Sequence, residues 1–130
     1  MQVLLLERAD HPGYWQSVTG SCDPGENLHQ TAVREVCEET GIDAEKYALT
    51  DWNLQFEFEI FEEWRHRYAP GITHNTEHVF GLKLPDALVV TLAPLEHLNY
   101  RWMSREEAVK KVFSWTNAAA LEKLPEMINL

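Results

Sequence analysis

The chain has 130 residues, a length that suits one domain, and 45% of them are hydrophobic, which is enough for a packed core. The 11 basic residues against 21 acidic ones give a formal net charge of −10. This argues against binding DNA or RNA through their phosphates, because that requires a basic surface. No apolar run reaches the length of a membrane span, and the first residues lack the pattern of a signal peptide. We therefore expect one acidic domain over residues 1–130, in the cytoplasm, with Cys22 and Cys37 as reduced thiols.

The first third of the chain predicts two short strands and a helix. Val3–Leu6 is an apolar run typical of a buried strand, and turn residues follow it. Trp15–Val18 predicts a second short strand, and the Asp, Pro and Gly within residues 21–26 predict a loop. A helix is expected from about Leu28 to Glu39, with Gly41 as the residue just past its end.

The middle of the chain predicts strands, and the last part predicts helices. Phe56, Phe58 and Ile60 alternate with polar residues, which gives one buried face and one polar face. Further strands are expected at residues 78–84, 88–92 and 99–103. Ser104 to Glu107 fits a capping box that begins a helix ending at Val112, and a second helix is expected over residues 117–124. Because strands and helices do not alternate regularly, we expect an α+β fold with a mixed sheet flanked by helices.

Three glutamates give the first helix an acidic face. Glu35, Glu38 and Glu39 lie at i, i+3 and i+4, so their carboxylates share one side of the helix and repel one another. A divalent cation would turn this repulsion into attraction, and carboxylate oxygens are the ligands that Mg²⁺ and Mn²⁺ prefer. Arg34 lies beside this face and could hold one glutamate in position. A solvated acidic face is the simpler interpretation of these glutamates considered alone.

The wider pattern over residues 20–42 favours the metal site. A glycine, a glutamate, the Arg-Glu pair, the Glu-Glu pair and a final Gly-Ile recur at the spacing of the Nudix box, with no departures. The positions are Gly20, Glu26, Arg34, Glu35, Val36, Glu38, Glu39, Gly41 and Ile42. The sequence therefore resembles the Nudix hydrolases, and the resemblance extends over nearly the whole chain.

This resemblance implies a Nudix fold, an α/β/α sandwich around a mixed sheet, and Mg²⁺- or Mn²⁺-dependent hydrolysis of a phosphoric anhydride. Arg34 is expected to orient a box glutamate, and Glu96 to be a further metal ligand or the general base. Family members usually have a strand and hairpin ahead of a segment like Val3–Leu6, whereas Met1 stands directly before it here. Either the sequence starts late, or the sheet lacks this first strand and has an edge open to a partner chain. The implied metal ligands are Glu35, Glu38, Glu39, Glu96 and the carbonyl of Gly20.

Segments outside the box carry a narrower resemblance. Residues 15–21 (WQSVTGS), 56–61 (FEFEIF), 65–71 (RHRYAPG) and 75–77 (NTE) are similar to those of bacterial dihydroneopterin triphosphate diphosphatases. Those enzymes release pyrophosphate from a pterin triphosphate in folate synthesis. The implied substrate contacts are Arg8, Thr19, Phe58, Glu59, Ile60, Phe61 and His97.

Several alternatives stay open from the residues themselves. Aromatic strand residues such as Phe58 are more often core than ligand contacts, and a histidine such as His97 is more often structural than catalytic. Arg65 and Arg67 could hold the triphosphate or pair with nearby carboxylates such as Glu62.

Three functions are consistent with this sequence. We favour Mg²⁺-dependent hydrolysis of dihydroneopterin triphosphate to the monophosphate and pyrophosphate. The alternatives are a pyrophosphatase of (deoxy)nucleoside triphosphates such as dATP, and a non-catalytic module that binds metal and nucleotide. The expected partner is a small-molecule triphosphate bound by a monomer or homodimer, with no nucleic acid and no membrane.

Overall fold

A computed structural model describes residues 1–128, which form five strands, three α-helices and two short 3₁₀ turns. None of the helices in this part of the chain is both long and apolar enough to cross a membrane. The strands are β1 (Gln2–Arg8), β2 (Trp15–Gln16), β3 (Ala48–Glu59), β4 (His74–Lys83) and β5 (His97–Ser104). The helices are α1 (Leu28–Thr40), α2 (Arg105–Lys111) and α3 (Trp115–Ile128), and the 3₁₀ turns are Ala44–Lys46 and Glu62–Arg67.

The first sheet has the order β2-β1-β5, with β1 antiparallel to both neighbours. Leu5 in the central strand is fully buried and packs with Trp15 and Met103 from the two flanking strands. Ala108 of α2 and Leu121 of α3 complete this cluster. The apolar residues predicted for the first strand therefore form the centre of the hydrophobic core.

The second sheet is the antiparallel hairpin of β3 and β4. Its side chains alternate between half-buried and exposed, as the apolar spacing of Phe56 and Phe58 predicts. An irregularity between Asp51 and Leu54 shifts the register, and Asn53 there adopts a positive φ of 52°. The expected α+β class is thus present as two antiparallel sheets with helices packed against them.

The ends of α1 are fixed by local hydrogen bonds. Asn27 caps the start: its side chain accepts from the backbone N–H of Gln30, and the Gln30 side chain accepts from the backbone N–H of Asn27. Gly41 ends the helix in the left-handed conformation, as predicted. Ser104 likewise caps α2 by accepting from the backbone N–H of Glu107. These caps fix where each helix begins and where α1 ends.

The predicted strand at residues 88–92 is wrong. This segment forms neither a strand nor a helix, because its backbone groups form hydrogen bonds with groups that do not belong to a neighbouring strand. Thr91 N–H donates to the carbonyl of Thr40 at the end of α1, and the Leu88 carbonyl accepts from the Trp102 indole. Val90 is buried by this arrangement. The apolar run therefore covers the end of a helix without forming a ladder.

Candidate functional site

One cleft, with a volume of about 2290 Å³, brings the box helix, the two sheets and the start of α3 together. At one end it is lined by the loop before α1 and by box glutamates such as Glu35 and Glu39. Elsewhere it is lined by the inner faces of β3 and β4, including Phe58 and Glu77. Most residues predicted for metal binding and for substrate binding thus share one open space, and the two that do not line it are Glu38 and Arg65.

Arg34 is the centre of a dense ion-pair group. Its guanidinium binds Glu26 with two hydrogen bonds of 2.8 and 2.9 Å, and it donates to Glu35 at 2.6 Å and to Glu38 at 3.2 Å. It also donates to the backbone carbonyl of Ser21 at 2.8 Å. The predicted positioning role is therefore matched by direct contacts, which hold two box glutamates and the preceding loop together.

Glu26 closes that loop onto α1. Its carboxylate accepts from Arg34, from the backbone N–H of Asp23 and from the hydroxyl of Thr31. The Arg34 hydrogen bonds, with help from the other two donors, lower the pKa of Glu26 to about 2. Glu26 is therefore ionised at neutral pH and fully used in holding the loop.

Gly20 lies directly beneath the Glu35 carboxylate. A Cβ built on Gly20 would overlap the carboxylate carbon of Glu35. The absence of a side chain at this position is therefore a packing requirement, and it places the backbone of residue 20 next to a predicted metal ligand.

Glu39 and His97 form a buried pair at the same end of the cleft. Glu39 is 2% exposed and His97 is 6% exposed, and His97 Nε2 lies 3.5 Å from Glu39 Oε1. Burial lowers the pKa of His97, so its imidazole is neutral at pH 7 and does not balance a carboxylate charge. Burial, together with the neighbouring carboxylates of Glu35 and Glu96, raises the pKa of Glu39.

Both carboxylate oxygens of Glu39 are buried without a hydrogen-bond partner. Among residues 1–128, no group of three or more acidic, histidine or cysteine side chains is arranged as a metal centre. The donors at this end of the cleft nevertheless fit a hard cation, because they are carboxylate and carbonyl oxygens and Glu39 has unmet acceptor capacity. Glu96, on the loop before His97, is near enough for its charge to raise the pKa of Glu39.

Arg8, predicted as a substrate contact, lies at the cleft in a cluster with Trp64. Its guanidinium carbon lies 4.5 Å from the Trp64 ring centroid, and the group also forms two 2.7 Å bonds to Asp10. Arg67 pairs with the same Asp10 at 3.2 Å. Arg65 pairs with Glu59 at 2.7 Å. The partners of these two arginines are therefore Asp10 and Glu59, not the nearby Glu62 that the sequence offered.

The predicted substrate segment at residues 58–61 divides between core and cleft. Ile60 is 3% exposed, whereas Phe61 is 40% exposed and stacks on Trp64 at 5.2 Å between centroids. Phe58 is half-buried on the inner face of β3, and Glu59 is exposed. Thr19 is exposed at the rim near the box. The roles of these residues in binding stay predictions.

Two cleft residues were missed from the sequence. Trp64 stacks with Phe61 and with Arg8, but its position one turn beyond β3 carries no periodic signal. Glu77 occupies an inward position of β4. It lies in the segment 75–77 that carries part of the narrower resemblance and alternates in phase with buried strand residues, but the sequence assigned it no role. Both depend on contacts made by residues distant in sequence.

The comparisons with known proteins match almost the full chain. The model of the NUDIX domain matches residues 1–124. The chain belongs to the Nudix family. The Nudix resemblance predicted from the box is thereby confirmed.

Among Nudix proteins, this chain is similar to enzymes acting on a pterin triphosphate. It is 48% identical to the dihydroneopterin triphosphate diphosphatase of Escherichia coli K12, over 94% of this chain and 81% of that protein. It is 42% identical to that of Haemophilus influenzae, over 94% and 77% of the two chains. The solved structure of the E. coli dihydroneopterin triphosphate pyrophosphohydrolase matches with a TM-score of 0.90 and 46% identity, over 99% of this chain and 87% of that one. The narrower resemblance predicted from the sequence is also confirmed.

Proposed function

We propose that this Nudix protein hydrolyses dihydroneopterin triphosphate to the monophosphate and pyrophosphate, a step of folate biosynthesis. The observation that carries the proposal is the similarity to the E. coli enzyme along almost the whole chain, at 48% identity and a TM-score of 0.90. The cleft supports it, because it joins an acidic end suited to a cation with an aromatic region suited to a ring.

The metal in this proposal is Mg²⁺. The residues that would hold it are Glu35, Glu38, Glu39 and the carbonyl of Gly20, and Glu96 is left for the other role that the sequence predicts, that of the general base. When bound, Mg²⁺ neutralises charge on the phosphoryl oxygens and lowers the pKa of the attacking water. Two oxygens of Glu39 without a hydrogen-bond partner are the strongest local support for this assignment.

The chain's own residues position the reaction. Arg34 holds Glu35 and Glu38 in place. The water oxygen bonds to the α- or the β-phosphorus, the bond from that phosphorus to the oxygen that bridges them breaks, and the monophosphate and pyrophosphate separate. The Glu96 carboxylate makes no hydrogen bond or ion pair with residues 1–128 and is the group we assign to accept the proton of the water.

The test is product release from dihydroneopterin triphosphate and from dATP, with Mg²⁺ and with an excess of chelator. We expect Mg²⁺-dependent pyrophosphate release, without free phosphate, at a higher kcat/KM for the pterin. Equal kcat/KM values on both substrates would contradict a pterin-specific enzyme and favour a pyrophosphatase of nucleoside triphosphates in general. Absence of release from either would contradict the enzymatic proposal and favour a binding module.

A further inference from the structure

A carboxylate that the proposed chemistry does not use lies in the aromatic part of the cleft. Glu77 points from β4 toward the start of α3, where its Oε2 accepts a 3.1 Å hydrogen bond from the hydroxyl of Thr116. It is half-buried and lies opposite Phe56 in the strand pairing. It is separate from the box glutamates, of which Glu35, Glu38 and Glu39 lie on α1 and Glu26 lies in the loop before it.

This carboxylate lacks the partners that usually accompany a charge in the protein interior. Within residues 1–128 no lysine, arginine or histidine forms an ion pair with Glu77, and Thr116 is its one hydrogen-bond donor. Burial accordingly raises the pKa of Glu77. An ionised carboxylate accepts several hydrogen bonds, so Glu77 retains acceptor capacity that the fold does not satisfy.

The surroundings of Glu77 suit a flat ring. Phe56, opposite it, contacts the Trp115 ring edge-on at 5.8 Å between centroids, and Trp115 is 59% exposed. Asn75 lies on the same face of β4, with its amide directed to the Tyr68 hydroxyl at 3.4 Å. Aromatic surface beside a polar group is the composition with which proteins bind heterocycles.

We propose that Glu77 recognises the 2-amino-4-oxopyrimidine edge of the substrate ring. In that edge a ring N–H and an exocyclic NH₂ lie side by side, and both can donate to one carboxylate. Pterins and guanine share this edge, whereas adenine presents an acceptor next to its amino group. Glu77 is thus a specificity-determining residue for the ring, and this inference rests on the proposed pterin substrate.

Neopterin without phosphates is the probe that tests this, because it carries the edge and needs neither metal nor hydrolysis. We expect quenching of tryptophan fluorescence on titration of wild-type protein, and about 10- to 100-fold weaker binding by the Glu77→Gln variant. Glu57→Gln is the matched control, since Glu57 is exposed on the neighbouring strand, and it should bind like the wild type. Equal affinity of the Glu77→Gln variant and the wild type would overturn the proposal, as would wild-type protein that does not bind neopterin.

Competition by purine nucleotides separates recognition from a purely structural role. GTP and inosine triphosphate differ only in the 2-amino group. GTP should therefore displace neopterin from the wild-type protein at a lower concentration than inosine triphosphate does. In Glu77→Gln this preference should disappear. Gln retains an oxygen for Thr116, so thermal unfolding should stay near that of the wild type. A variant of lower stability that retains the full GTP preference would assign Glu77 to packing. Failure of pyrophosphate release would contradict the proposed function and leave the binding result standing.

Discussion

The glutamates of α1 lie in two contrasting environments. Glu35 and Glu38 share the guanidinium of Arg34 with Glu26 of the preceding loop. Glu39, one helical position beyond Glu38, is buried beside a neutral histidine and has no hydrogen-bond donor on either oxygen. The first environment is satisfied by hydrogen bonds within the protein, whereas the second leaves acceptor capacity that suits a cation. The box therefore combines a self-supporting part that fixes geometry with a part that is poised for a cation.

The largest effect on activity is expected from Glu39→Gln, which changes the buried glutamate and leaves the Arg34 ion pairs in place. An amide is a weaker ligand than a carboxylate for Mg²⁺, so the rate of pyrophosphate release should fall on the order of 10³-fold, because the ion that would neutralise charge on the phosphoryl oxygens is held less well. The melting temperature of the metal-free protein should be equal to or above that of the wild type, because burial and the neighbouring carboxylates, which raise the pKa of Glu39, penalise its charged form and the amide carries no charge.

Turnover, calorimetric Mn²⁺ binding and thermal unfolding together check this expectation. Glu57→Gln, exposed on β3, is the matched control and should be unchanged in all three. A lower melting temperature with full turnover would make Glu39 a structural residue.

Arg34→Lys should lower both the stability of the loop before α1 and the rate of turnover. A lysine ammonium cannot bind Glu26 with two parallel bonds and reach Glu35 at the same time. We expect a lower melting temperature and a turnover reduced by about 10²-fold, since small misplacement of catalytic groups is costly. Arg101→Lys, exposed on β5, is the control. Loss of stability with unaltered turnover would show that the guanidinium supports the loop without positioning the glutamates.

His97→Gln tests the buried side alone. The imidazole lies 3.5 Å from Glu39, so its replacement should change how Glu39 is held and weaken Mn²⁺ binding by about tenfold. Titration of metal binding by calorimetry gives the value, and His78→Gln on β4, which is exposed, should match the wild type. Unchanged metal affinity in His97→Gln would contradict this expectation and favour a role for His97 in substrate binding or packing.

The smallest expected effect is the pH dependence of stability from Glu26. Its pKa is lowered in the folded state, so its stabilising contribution is present above the ordinary value of 4.5 and is lost as the pH falls toward about 2. Glu26→Gln should therefore melt lower than the wild type at pH 7, and the difference should shrink on acidification below pH 4.5. A difference between the two melting temperatures that does not vary with pH would contradict the assignment.

Local signals explain what the sequence predicted well. The helix predicted from about Leu28 to Glu39 is α1, which ends one residue later, and Ser104 predicted the start of α2, because caps and periodicity act within a few residues. The box spacing likewise placed Arg34 next to the glutamates that it binds.

Long-range partners explain what the sequence did not predict. The run at 88–92 has strand composition, but its backbone partners are Thr40 and Trp102. Glu39 and Glu38 are adjacent in sequence, yet only the fold buries the first and leaves the second 53% exposed. The hydrogen-bond donor of Glu77 is Thr116, which lies on a helix far away in sequence.

The two sheets of the described chain have no strand in common. Opening the β3–β4 hairpin therefore breaks no backbone hydrogen bond of the β2-β1-β5 ladder. The amide protons of the two sheets should accordingly exchange with deuterium at two different rates, one for each sheet. A molecule that occupies the cleft contacts both sheets. Slower exchange in both groups at once would then report occupancy directly, even for a compound that the protein does not turn over.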